Sequence, residues 1–220
     1  MSNNQIVYLC GPHGVGKSTL INDLKQYDMG RVKEQVAHME GLTDIVSRQI
    51  WRASLHCIEH RENLAYAVTQ PPNSVVIGDR CFLDDQAYMA AFVDLGWLPA
   101  ESRDGIVTHT DNLYTITNTP KPEKFIVLLP PLEWNIDRIK ERWSEGIIKW
   151  HEDDFNYLRR VRDNFEFLVG KKKAEITVVR ETDRKKRVTK VKEWLVENNL
   201  DDFIVEGRTY IEGMNSGTGS

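Results

Sequence analysis

Residues 5–18 read Gln5-Ile6-Val7-Tyr8-Leu9-Cys10-Gly11-Pro12-His13-Gly14-Val15-Gly16-Lys17-Ser18, and their interpretation decides the fold. The first six, β-branched, aromatic and aliphatic, predict a strand over 5–10. Gly11, Gly16, Lys17 and Ser18 then satisfy the pattern G-x-x-x-x-G-K-[ST], with Gly14 as a further glycine inside it. Leu20, Ile21 and Leu24 fall at helical spacing, so a helix is expected to open directly after Ser18. Chance supplies the bare pattern in roughly one of 200 chains of this composition, so the strand, loop and helix around it carry the claim. The residue types follow from chemistry: successive backbone N–H groups can close around a phosphate only where side chains do not obstruct them. The lysine then neutralises the β- and γ-phosphates and the serine hydroxyl can ligate Mg²⁺. Gly11, Pro12, His13, Gly14, Val15, Gly16, Lys17, Ser18 and Thr19 are therefore expected to cradle the phosphates of ATP. His13 fills a variable position where an imidazole need only be tolerated, and Cys10 reads as a small core residue.

Outward from the loop, apolar runs and helical patterns alternate. Residues 44–68 carry Ile45, Ile50, Trp51, Leu55, Ile58 and Leu64 at helical spacing. Strands are expected at 74–78, after Pro71-Pro72, at 125–129, closed by Pro130-Pro131, and at 175–179; helices at 133–142, 152–169 and 189–197. Continuous apolar strands separated by helices predict an α/β fold of the P-loop NTPase kind: a mainly parallel sheet with helices on both faces. With 220 residues, 40% of them hydrophobic and 28% charged, the chain has apolar material for one domain's core, which excludes disorder throughout and a coiled coil. The domain is expected over 1–205, with a helical lid at about 138–152, and a disordered, small and polar tail over 206–220. The three cysteines, Cys10, Cys57 and Cys81, lack CxxC spacing and fit a reducing compartment. No leader-like N-terminus and no run of about 18 apolar residues are found, so a cytoplasmic location without membrane contact is expected.

One motif competes. His56, Glu59 and His60 fit H-x-x-E-H, an inverted zinc-peptidase signature that chance supplies in roughly one chain in 80. Glu59, His60, Arg61 and Glu62 read instead as the solvated face of a helix whose apolar stripe already explains it, and a metal site is declined.

The strand at 74–78 runs into Asp79-Arg80 at the end where a parallel sheet meets ligand. An aspartate there holds the Mg²⁺ shell or takes the acceptor's proton, and Arg80 offers a forked donor for phosphate. Ser18 and Asp79 are thus the candidate metal residues. From here the chain resembles the thymidylate kinase and deoxynucleoside kinase branch of the P-loop kinases. Asp79, Arg80, Ala87 and Tyr88 match that family's D-R-[YF]-x-x-S-x-x-A-Y, with departures at Cys81 and Asp84. Thr119-Pro120-Lys121-Pro122-Glu123, then Arg138 and Arg142, are similar to the approach to its lid, and residues 151–162 to the helix beyond it.

The resemblance implies roles. Glu34, followed by Gln35 where the family has Pro, is a candidate base or sugar anchor, with Lys33 where a phosphate-binding Arg stands. Arg138 and Arg142 would cover the transferring group, and residues 180–183 would form the adenine loop. Arg48 and Gln49 are the candidate readers of a base or acceptor phosphate, beside Arg80 and Glu34. Asp84 puts a negative charge where the family has Ser, unfavourable beside an acceptor phosphate. The expected catalytic set is Lys17, Asp79, Arg80, Glu34, Arg138 and Arg142.

The leading expectation is an ATP- and Mg²⁺-dependent kinase of a nucleoside or nucleotide. A kinase acting on a nucleotide within DNA, at a polynucleotide end or on hydroxymethyluracil in viral DNA, is the alternative. Residues 171–192 favour it, carrying ten Lys or Arg against three Asp or Glu. A non-kinase P-loop ATPase is a third reading. The partners are ATP, the acceptor, DNA in the second reading, and a second copy of the chain in a homodimer.

Overall fold

The structure, a computed structural model, describes residues 5–24, 44–70, 75–146, 151–171 and 176–198. Its sheet has four strands, β1 (Gln5–Cys10), β2 (Val75–Asp79), β3 (Lys124–Leu128) and β4 (Ile176–Val179), all parallel in the order β2-β1-β3-β4. The strands are apolar on both faces. Val7, Leu9, Ile126 and Leu128 point to one side, where helices α1 (Lys17–Leu24) and α7 (Arg184–Glu197) pack. Tyr8, Cys10, Phe125 and Val127 point to the other, covered by α2 (Ile45–Thr69), α3 (Phe82–Asp94), α4 (Ala100–Ile116), α5 (Leu132–Ser144) and α6 (Phe155–Lys171). This two-sided burial is why the strands read as apolar runs rather than alternations. The chain leaves β1 for one neighbour, β2, and later returns to the other, β3. The glycine-rich loop after β1 therefore lies at the point where the order reverses, the usual ligand crevice of an open parallel sheet.

Two features differ from expectation. Helices α3 and α4 lie in a stretch where periodicity assigns nothing. Helix α3 has Leu83, Ala87, Tyr88, Met89, Ala91 and Phe92 buried around most of its circumference, because it lies between the sheet and α6, so it shows no single apolar stripe.

The second is a correction. Helix α2, capped by the Asp44 carboxylate accepting from the Ser47 N–H at 2.8 Å, buries a mostly polar stripe and turns part of its expected apolar stripe to solvent. Its buried stripe is Gln49, Ala53, His56, Cys57, Glu59, His60, Asn63 and Ala67, whereas Ile50 and Ile58 are 39% and 55% exposed. Glu59 and His60 are not on a solvated face. The reason is hydrogen bonding: His56 Nδ1 meets the Asp85 carboxylate at 2.7 Å, Asn63 donates to the Tyr8 hydroxyl at 3.0 Å, and that hydroxyl lies 2.7 Å from His60 Nδ1. His60 Nε2 in turn reaches the Pro120 carbonyl at 2.8 Å. His56 and His60 join no cluster of metal-ligating side chains among the described residues. Tyr8 itself packs over Gly78 on β2, where a Cβ would overlap its ring.

Among the described residues no helix is long and apolar enough to cross a membrane.

Candidate active site

The loop between β1 and α1 is held from below and from both flanks. Gly11 takes φ +140°, and a Cβ there would stand 2.6 Å from the Leu128 carbonyl oxygen, so the close approach of β3 requires glycine. The Gly11 N–H donates to Asp84 at 3.3 Å. On the far flank Arg187 of α7 donates from Nη1 to the Val15 carbonyl at 2.7 Å and from Nε to the Glu181 carbonyl at 2.5 Å, while its guanidinium lies 4.4 Å from the centre of the Trp134 ring. Arg187 thereby ties the phosphate loop to the segment after β4. Its role had no local signal, since Val15 lies 172 positions away.

Lys17 lies beneath the loop with its amine donating to the carbonyls of Gly11 at 2.5 Å and Pro12 at 2.8 Å. Burial, reinforced by the nearby Arg80 guanidinium, lowers it to about 8 against the opposing pull of Asp84 and Asp79. Beneath it the thiols of Cys10 and Cys81 are 3.6 Å apart, and burial raises both, so Cys10 is the inert core residue expected.

Asp79 ends β2 opposite Leu9 and is buried, and Ser18, in the first turn of α1, is exposed. Both are hard oxygen donors of the kind Mg²⁺ takes. The next residue, Arg80, holds a left-handed φ of +68°, a costly conformation for a residue with a side chain. Its N–H donates to the Leu9 carbonyl at 3.0 Å, and its guanidinium stands 5.7 Å from the centre of the Tyr88 ring, Nη1 reaching the Tyr88 hydroxyl at 3.5 Å.

These parts converge. Residues 13–19, Arg80, and Arg138 and Arg142 of α5 line one cleft of about 170 Å³, together with Glu152. Arg138 is paired with Glu141 at 3.8 Å and lies over Trp134. Arg142 donates from Nη2 to Glu152 at 2.8 Å, and its buried Nε has no hydrogen-bond partner among the described residues. Glu152 was not expected in the site; the acidic run 152–154 does not distinguish it by sequence, and full burial does.

A second pocket opens beside the first, walled by Tyr88, Phe92 and Tyr157 and carrying Arg48, Gln49 and Arg52, with His13 at its edge. The expected readers Arg48 and Gln49 thus come together with the loop. Asp84 does not. Its carboxylate is fully buried, accepting from the N–H groups of Gly11 and Cys81, both at 3.3 Å, so it caps α3 and braces the loop rather than facing an acceptor. Glu34 and Lys33 lie outside the described residues.

A family model described as an AAA domain matches residues 6–145. No curated protein matches the sequence. Among solved structures, deoxyadenosine kinase from M. mycoides with bound dATP superposes with a TM-score of 0.66 at 20% identity, covering 87% of this chain and 99% of that one. The same enzyme with products dCMP and a flexible dCDP gives 0.65 at 19% identity, covering 88% and 99%. With bound dCTP it gives 0.65 at 19%, covering 87% and 99%. The fold is therefore that of the P-loop deoxynucleoside kinases.

Proposed function

Because the chain belongs to the AAA domain family over residues 6–145 and has the fold of a deoxynucleoside kinase, we propose that it is an ATP-dependent kinase that phosphorylates a nucleoside or nucleotide. The observation that carries this reading is the pair of adjoining pockets on one loop: a phosphate cleft ringed by Lys17, Arg80, Arg138 and Arg142, and an aromatic pocket with an amide, Gln49, for a base. A non-kinase ATPase has no use for the second. The M. mycoides enzyme is named for deoxyadenosine, and this favours a deoxynucleoside acceptor over thymidylate.

Phosphoryl transfer asks for in-line positioning and charge neutralisation rather than covalent help. The loop amides and Lys17 hold the β- and γ-phosphates. Asp79 or Glu34 takes the acceptor's proton, and Arg80 places the acceptor oxygen. Arg138 and Arg142, from the lid at about 138–152, stabilise the charge that spreads over the moving group. Mg²⁺, on Ser18 and Asp79, would add its charge to theirs at the phosphates. The 180–183 segment, tied to the loop by Arg187, receives the adenine.

The test is incubation with labelled ATP and, separately, the four deoxynucleosides, their monophosphates and hydroxymethyluracil-containing DNA. A phosphorylated deoxynucleoside, made by wild type and lost in a Lys17→Ala variant that still folds cooperatively, is expected. Lys17→Ala retaining more than about a tenth of wild-type turnover contradicts the reading, since one lost phosphate contact should cost several kcal/mol.

A further inference from the structure

His13 does more than fill a permissive position in the loop. Among the described residues it alone lines both the phosphate cleft and the aromatic pocket, so its ring forms the wall between them. The ring is held from three sides. Nε2 lies 3.1 Å from the Tyr157 hydroxyl, Nδ1 lies 3.5 Å from Glu152 Oε1, and the Tyr88 ring meets it edge-on with centroids 5.0 Å apart. Glu152, fully buried, gives the same oxygen to Arg142 at 2.8 Å. Nε2 is thus within hydrogen-bond distance of the Tyr157 hydroxyl, whereas Nδ1 faces Glu152 at ion-pair distance, the carboxylate serving both the imidazole and the Arg142 guanidinium.

The result is a chain of polar contacts from Tyr157 through His13 to Glu152, with Arg142 donating to its far end. One terminus is a wall of the aromatic pocket and the other a guanidinium of the phosphate cleft. We propose that His13 is a positioning residue that couples the two sites: an acceptor that orders Tyr157 and Tyr88 fixes the imidazole, the imidazole fixes Glu152, and Glu152 aims Arg142 at the phosphates. This rests on the kinase reading above. Its use is restraint, because Arg142 is fully placed only when an acceptor is present, which limits idle hydrolysis of ATP.

Coupling of this kind is an equilibrium quantity and can be read without turnover. The affinity for AMP-PNP with Mg²⁺ is measured by calorimetry with and without each of the four deoxynucleosides, in wild type, His13→Ala, His13→Asn and Glu152→Gln. In wild type the phosphorylated nucleoside is expected to tighten AMP-PNP binding by about tenfold. In His13→Ala and in Glu152→Gln that ratio should fall to about one. His13→Asn, whose shorter polar side chain can keep one of the two contacts, should fall between. The double variant should lose no more than either single, because both break the same chain. Acceptor-free ATP hydrolysis relative to transfer should rise in His13→Ala.

A wild-type synergy that survives in His13→Ala overturns the role of His13 and leaves the kinase reading intact, as does transfer by a wild type without synergy. A wild type that phosphorylates none of the nucleosides or nucleotides overturns both. Should His13→Ala fail to fold, His13→Asn and Glu152→Gln decide the matter by the same ratio.

Discussion

Lys17, lowered to about 8 by burial and by Arg80, makes nucleotide binding depend on pH in a definite direction. The nucleotide-free protein loses the Lys17 proton as pH rises through about 8, whereas a bound triphosphate favours the charged amine. Binding above that pH must therefore take up a proton, and ATP affinity should weaken by up to about tenfold per pH unit. Calorimetry in two buffers of different ionisation enthalpy measures the uptake; an affinity constant from pH 8 to 10 speaks against it. Arg80 raises a different question, since it holds a φ of +68° without being glycine. Arg80→Gly and Arg80→Ala both remove the guanidinium and should both be inactive. The glycine variant, rid of the strain, should be the more stable by about 1 kcal/mol in urea denaturation. Equal stability would mean that the surrounding contacts, not strain, set this conformation.

At the scale of elements, α2 carries the lesson about legibility. The loop, the four strands, most of the helices and the cleft around Lys17 were readable because their signals are local: a glycine pattern, apolar runs, a Pro-Pro stop. The facing of α2 was not, because a polar stripe becomes interior only through partners distant in sequence. Asp85 lies 29 positions from His56, Pro120 lies 60 from His60, and Tyr8 lies 55 from Asn63. Glu152 and Arg187 escaped for the same reason. The His56–Asp85 contact between α2 and α3 can be tested. Burial alone would lower His56, but the charge and hydrogen bond of Asp85 outweigh it and the net direction is upward. A raised histidine contributes stability that is fully present below about 6.5 and is lost as pH rises through its folded value. His56→Ala should thus cost about 2 kcal/mol at pH 6 and less at pH 8, Asp85 keeping Arg52 at 3.6 Å as its ion-pair partner among the described residues. A penalty that grows with pH would reverse the assignment.

Over the whole molecule, four of the ten basic residues in 171–192 are spent on the protein itself. Arg180 pairs with Glu166, Arg184 with Asp23, and Lys190 with Glu181 at 2.8 Å, while Arg187 is buried against the loop. A duplex DNA should accordingly show no measurable affinity at physiological salt in fluorescence anisotropy. Micromolar binding that falls with salt at a log–log slope of several times about -0.9 would return the polymer acceptor to first place. The same ties between distant parts bear on how the protein comes into being. Gly11 finds its carboxylate 73 residues along the chain, and Val15 finds its guanidinium 172 residues along. A ribosome therefore finishes the phosphate-binding sequence well before its braces, which the nascent chain lacks until α7 has emerged and docked. Between those two moments the polypeptide meets ATP with its own binding loop unbraced.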